Sequence, residues 1–177
     1  MSTAPRFIPH YTIADYQQWD GDWELIDGVP VAMTPSPFGP HERVISRLSG
    51  ILAEQLRKNA GCDCEIYTNL DWIISDDTVI RPDLMIVCGE QPMKHLERAP
   101  SLMVEVLSDS TRNSDLSAKQ QLAQQQNVGS YFAIDPNERT IQLSGGNTWK
   151  PVAIDEPCEV RLHDRCEVRF PPGDLFD

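Results

Sequence analysis

A chain of 177 residues, 40% of them hydrophobic, can bury a sizeable core without disulfide staples. Its formal net charge of −12 excludes nucleic-acid binding driven by bulk charge alone, because that affinity comes from Lys and Arg neutralising phosphates. No stretch approaches the roughly 20 apolar residues of a membrane-spanning helix, and no apolar signal core follows residues 1–6. The expectations are a single domain over residues 1–177, no membrane association and a cytoplasmic location.

In chain order, a short helix is predicted over residues 13–19, then a hairpin over 23–33 turning at Asp27-Gly28, a strong type I′ signal. Glu24 alternates with Trp23 and shares a face with Ile26; by itself it reads as an exposed strand acid. A loop over 34–40 leads into a long helix over 41–58, with Pro40 near its first turn and Gly61 beyond its end. Val44, Ile45, Leu48, Ile51, Leu52 and Leu56 form its apolar stripe. His41 lies on the same face and so looks inward, and the helix N-terminus favours its neutral form.

Strands are predicted at 65–70, 72–74, 79–87 and 102–107, with 91–98 as a connection. The run Leu102-Met103-Val104-Glu105-Val106-Leu107 has the continuous apolar character of a strand covered on both faces, yet carries a carboxylate. Burying Glu105 is costly unless something pairs with it. Arg81 or Lys119 could do so. A divalent cation could as well, sharing Glu105 with Asp83, about twenty residues earlier and directly after Pro82.

Ser108-Asp109-Ser110-Thr111 is dense in capping residues, and a second helix is predicted over 115–126. Lys119 falls within its apolar stripe of Leu116, Leu122 and Ala123 and therefore points toward the sheet. The competing reading is a surface i,i+4 pair with Asp115. A strand over 131–136 and a hairpin of 141–143 with 148–152 follow. The tail repeats a pattern, Cys158-Glu159-Val160-Arg161-Leu162 and Cys166-Glu167-Val168-Arg169-Phe170, which reads as two paired, half-buried strands with no chemistry of their own. The five cysteines, Cys62, Cys64, Cys88, Cys158 and Cys166, are expected as reduced thiols, and Cys62-Asp63-Cys64 as a loop or the start of a strand. Phosphate-loop, dinucleotide-binding and nucleophile-elbow patterns are absent from the sequence.

Pro82-Asp83, Glu105-Val106-Leu107 and Lys119, in that order, resemble the PD-(D/E)XK nuclease superfamily. Trp23-Glu24-Leu25-Ile26-Asp27-Gly28, Met33-Thr34-Pro35, His41, Ser110-Thr111, Tyr131-Phe132, Ile134-Asp135-Pro136 and Leu175-Phe176 extend the resemblance over nearly the whole chain, to the Uma-type restriction endonuclease family. The resemblance implies an α/β fold with a restriction-endonuclease-like core, a mixed central β-sheet flanked by helices, with N- and C-terminal β-hairpins. It implies Mg²⁺-dependent hydrolysis of phosphodiester bonds in DNA, with Mn²⁺ as a possible substitute, and a homodimer that cuts both strands. Asp83, Glu105 and the Val106 carbonyl would hold the metal, Lys119 would position water or stabilise charge, and Glu24 and His41 would support the site. Leu107 stands where the superfamily often has lysine, a role the family resemblance moves to Lys119. Ala123 replaces a tyrosine, Asn127-Val128 a Gly-Val pair and Phe132 a tryptophan. These departures, with the acidic charge, leave an alternative: a catalytically weak or inactive nuclease-fold module for binding or assembly. A third reading is an enzyme acting on a small phosphorylated substrate.

Overall fold

Strict alternation along three neighbouring strands divides the interior into two layers. In the computed structural model, which describes residues 9–33, 39–109, 112–145 and 148–177, these strands are β6 (Leu84–Cys88), β7 (Leu102–Val106) and β8 (Ser130–Asp135). Leu84, Ile86, Leu102, Val104, Val106, Phe132 and Ile134 face one layer, which helix α2 (Gly39–Lys58) covers with Val44, Ile45, Leu48, Leu52 and Leu56. Met85, Val87, Met103 and Tyr131 face the other, packed with Leu122 and Ala123 of helix α4 (Ala118–Gln125). A period of two sends successive side chains to opposite faces, so Glu105, two residues after Met103, projects into the α4 layer.

The central sheet has six strands in the order β10-β9-β8-β7-β6-β3, where β3 is Cys64–Tyr67, β9 Thr140–Gly145 and β10 Thr148–Pro151. Only β7 and β8 run parallel within it, joined through α3 (Arg112–Asp115) and α4. It is the mixed, helix-flanked sheet that was expected. A second sheet, β2-β1-β5-β4, contains β1 (Trp23–Ile26), β2 (Val29–Ala32), β4 (Trp72–Ser75) and β5 (Thr78–Ile80). The β1–β2 turn sits at Asp27 (φ 50°) and Gly28 (φ 75°), the positive-φ pair that Asp-Gly supplies. The tail forms a separate hairpin of β11 (Cys158–His163) and β12 (Cys166–Phe170), and a 3-10 turn, Pro172–Leu175, closes the chain. Helix α1 is shorter than expected, Ile13–Tyr16.

Three expectations change. The single strand over 79–87 is two strands in two sheets. Pro82 has no N–H for a ladder, and the Arg81 N–H is taken by the Glu24 carboxylate, so the chain leaves one sheet at Ile80 and joins the other at Leu84. The helix over 115–126 is α3 followed by α4, and the predicted cap at 110–111 and most of the loop over 34–40 lie outside the described residues. The cysteines are not all reduced thiols. Cys62 is bonded to Cys166 and Cys64 to Cys88, leaving Cys158 as the free thiol among the described residues. Partners 104 residues apart give no local spacing to read. No helix among the described residues is long and apolar enough to cross a membrane.

Candidate active site

The break at Pro82 and the end of β7 bring four acids and one lysine together. Asp83 stands just before β6, and its Oδ2 accepts the Val106 N–H at 2.7 Å, which joins the start of β6 to the end of β7. Glu105 is buried on the α4 side, and its Oε1 accepts a hydrogen bond from Lys119 Nζ at 2.8 Å. Lys119 is itself only 3% exposed. Its Nζ also lies 2.9 Å from Glu24 Oε1 and 3.4 Å from Asp115 Oδ1.

Glu24 reaches this cluster from β1 because its Oε1 also accepts the Arg81 N–H at 2.8 Å. The exposed-acid reading of Glu24 is thus corrected: it is 4% exposed, held between the Arg81 N–H and the Lys119 ammonium. The surface-pair reading of Asp115 and Lys119 is corrected too. Their i,i+4 spacing is present, but Asp115 is 1% exposed, sealed in where Tyr131 Oη donates to the Asp115 carbonyl at 2.7 Å. Arg81, the other cation weighed for Glu105, turns instead to Asp71 and Asp22, each at 2.6 Å.

Burial is the largest influence on the Glu105 carboxyl and raises its pKa well above the usual value; Lys119 opposes this, and the charges of Asp115, Asp83 and Glu24 reinforce it. Burial also works against the Lys119 ammonium. Glu105, Glu24 and Asp115 outweigh it and hold the lysine pKa well above normal, so Lys119 is a permanent cation here. The same burial and the same acids push the Tyr131 phenol up.

His41 meets the site from the first turn of α2, with Nε2 3.3 Å from Asp83 Oδ2 and Nδ1 3.2 Å from Glu42 Oε1. The sequence favoured a neutral ring, on account of the helix N-terminus. In the fold, burial lowers its pKa, but Asp83 and Glu42 together overcome burial and raise it. Two adjacent carboxylates outweigh the partial charge of a helix end.

Glu24, Glu105 and Asp115 thus surround one ammonium, and Asp83, whose charge is felt at Glu105, stands beside them with His41 behind it. The sheltered negative charge exceeds the positive charge of Lys119. Such a donor set, all carboxylate oxygen, suits a hard divalent cation. Asp83, Glu105, Lys119, Glu24 and His41 all meet at this one place. Asp115, read from the sequence only as a surface partner of Lys119, and Tyr131, named only within the family resemblance, were not expected at the site. Asp115 could have been found by its position on the Lys119 face; Tyr131 carries no comparable signal, because its role depends on where the backbone of α3 ends.

The sequence profile of the family described as "Uma2: Putative restriction endonuclease" matches residues 13–166. Among solved structures, the fold is similar to that of a protein from Anabaena variabilis described as a putative nuclease belonging to DUF820. The TM-score is 0.76 at 16% sequence identity, over 93% of this chain and 97% of that one. No curated protein matches the sequence.

Proposed function

The chain belongs to the Uma2 family of putative restriction endonucleases, and from this premise we propose that it is a divalent-metal-dependent nuclease that hydrolyses phosphodiester bonds in DNA. The observation that carries the reading is the sheltered cluster in which Lys119 Nζ lies within 3.4 Å of Glu24, Glu105 and Asp115, while Asp83 is tied to the neighbouring Val106 amide. Isolated buried acids are strongly disfavoured, and an excess of them beside a sheet end fits a site made to share its charge with a cation.

Asp83, Glu105 and the Val106 carbonyl would hold Mg²⁺, with Mn²⁺ as a substitute that accepts the same oxygen ligands. Bound there, the ion would supply a Lewis acid toward the phosphate and an acidified water. Lys119 contributes a fixed positive charge that stabilises the negative charge developing on the phosphate oxygens. Glu24 and Asp115 keep Nζ aimed into the site when Glu105 serves the metal. His41 holds one oxygen of Asp83 and so orients the other. The Arg81 guanidinium, fixed by Asp71 and Asp22, keeps the Pro82 turn in place.

The test is cleavage of supercoiled and linear DNA by the purified chain across Mg²⁺ and Mn²⁺ concentrations, with Glu105→Gln beside it. Metal-dependent cleavage lost in the variant is the expected result. A folded wild-type protein that cleaves neither substrate with either ion would instead favour the noncatalytic module, which the net charge of −12 also suits.

A further inference from the structure

At the opposite end of β6 from Asp83, a second set of ligating side chains meets, and the nuclease reading makes no use of it. It is formed by two segments distant in sequence. Cys62-Asp63 lead into Cys64, the first residue of β3, and His163 and Cys166 flank the Asp164-Arg165 turn as the last residue of β11 and the first of β12, facing each other across the hairpin. One ligand atom from each of Cys64, His163 and Cys166 lies within 4.8 Å of the others. Cys64 and Cys166 are buried, and their sulfurs are 3.6 Å apart. Two thiolates about 2.3 Å from a tetrahedral Zn²⁺ stand roughly 3.8 Å apart, so this pair needs little movement to share an ion. Cys62, bonded to Cys166 across a Cα–Cα distance of 4.8 Å and two residues before Cys64, supplies the fourth ligand.

We propose that, once the two disulfides are reduced, Cys62, Cys64, Cys166 and His163 bind one Zn²⁺ ion that clamps the C-terminal hairpin to the start of β3.

Two further observations point the same way. An added Cβ on Gly61 would lie 2.8 Å from the Arg165 carbonyl oxygen, so the glycine is what lets the two turns touch. His163 Nε2 is buried and makes no aligned hydrogen bond among the described residues, although Asp63 Oδ1 lies 3.0 Å away. A carboxylate on one ring nitrogen is how metal-ligating histidines are commonly oriented. With the Nε2 proton directed to Asp63, Nδ1 keeps its lone pair; it now accepts the Arg165 N–H at 3.2 Å, and the ion takes that place. A groove of about 560 Å³ lined by Cys62 and Cys64 gives the ion a way in. The clamp has a mechanical purpose as well: among the described residues β11 and β12 make ladder pairs only with each other, and once the Cys62–Cys166 bond is reduced the hairpin is left with side-chain packing and the bonds of the Gln55 amide to the Arg169 backbone.

The chemistry balances. A dithiol reduces each disulfide to two thiols and is itself oxidised to a disulfide; Zn²⁺ then displaces three thiol protons and binds the neutral imidazole. Cys88, on β6 and outside the Cys64–His163–Cys166 cluster, is left as a thiol.

The experiment uses the full chain reduced with a phosphine, which does not compete for zinc, and titrated with Co²⁺ as a spectroscopic probe and then Zn²⁺. One Co²⁺ per chain is expected, with thiolate charge-transfer and tetrahedral d–d bands that Zn²⁺ abolishes. Cys62→Ser should lose the bands, His163→Ala should weaken affinity by at least about tenfold, and Cys88→Ser and Glu105→Gln should keep them. Circular dichroism establishes that each variant is folded. A folded, reduced wild type without tetrahedral bands would overturn the site. So would loss of the bands in Cys88→Ser or in Glu105→Gln, the latter by assigning the signal to the acidic cluster. DNA cleavage is not a readout, so failure here and failure of the nuclease reading are separate results.

Discussion

Strand β6 has an oxygen-rich end and a sulfur-rich end. Asp83 stands before its first residue, next to Glu105, Glu24, Asp115 and Lys119; Cys88 is its last, bonded to Cys64 and close to Cys166 and His163. Five residues at about 3.3 Å each separate the two ends by roughly 17 Å. The acids come from strand ends and a helix that the central sheet fixes, and they are hard donors suited to Mg²⁺. The sulfurs and imidazole come from the ends of β3, β6, β11 and β12 and from Cys62 just before β3, and they suit Zn²⁺. The contrast teaches that one scaffold strand can carry two chemistries when its two ends meet side chains of different donor type.

The largest expected effect is at the oxygen end. Lys119→Ala removes the ammonium that three sheltered carboxylates share and should cost about 3–5 kcal/mol in urea unfolding, as for removing one partner of a buried ion pair. Mg²⁺ should restore part of this, rising by about 1.4 kcal/mol for each tenfold excess over its dissociation constant. If the metal stabilises Lys119→Ala and Lys119→Ala with Glu105→Gln equally, the acids are not its site.

Gly61→Ala acts at the sulfur end alone. Its Cβ would press on the Arg165 carbonyl, at a cost of about 1–3 kcal/mol. Cobalt affinity of the reduced chain should fall while metal-dependent DNA cleavage stays unchanged; a parallel loss of cleavage would show that the two ends are coupled.

A smaller effect is expected at Asp135, the last residue of β8. Burial alone would raise its carboxyl pKa, but the Glu138 and Asn137 N–H groups and Arg112 outweigh burial and lower it. A depressed folded-state pKa stabilises the protein above the ordinary carboxylate range and ceases to do so as pH falls through the lower value. Asp135→Asn should therefore cost about 1 kcal/mol at neutral pH, with the difference vanishing in acid. A pH-independent difference would mean that the side-chain shape, not its charge, anchors α3.

The smallest effect tests neither end. Gly28→Ala at φ 75° should cost about 1 kcal/mol through backbone strain, with the exposed His10 ring, which the added Cβ would meet at 2.2 Å, turning into solvent and both metal titrations unchanged. A shift in the Mg²⁺ titration would show that the β1 hairpin sets the position of Glu24.

Periodicity and residue type were enough to read the Asp27-Gly28 hairpin, the inward stripe of α2, the inward face of Lys119 and the anomaly of Glu105 in an apolar strand. These depend on a few neighbouring residues and on the fixed geometry of helices and strands. The tertiary structure decided the rest. It broke residues 79–87 at Pro82, because only the presence of Glu24 from another strand gives the Arg81 N–H its acceptor. It buried Glu24 and Asp115, raised the His41 pKa through two carboxylates, and brought Cys62 to Cys166 across 104 residues. Desolvation and charge pairing depend on what other parts of the chain place alongside a group, and the chain's path through space, not its local pattern, sets those neighbours.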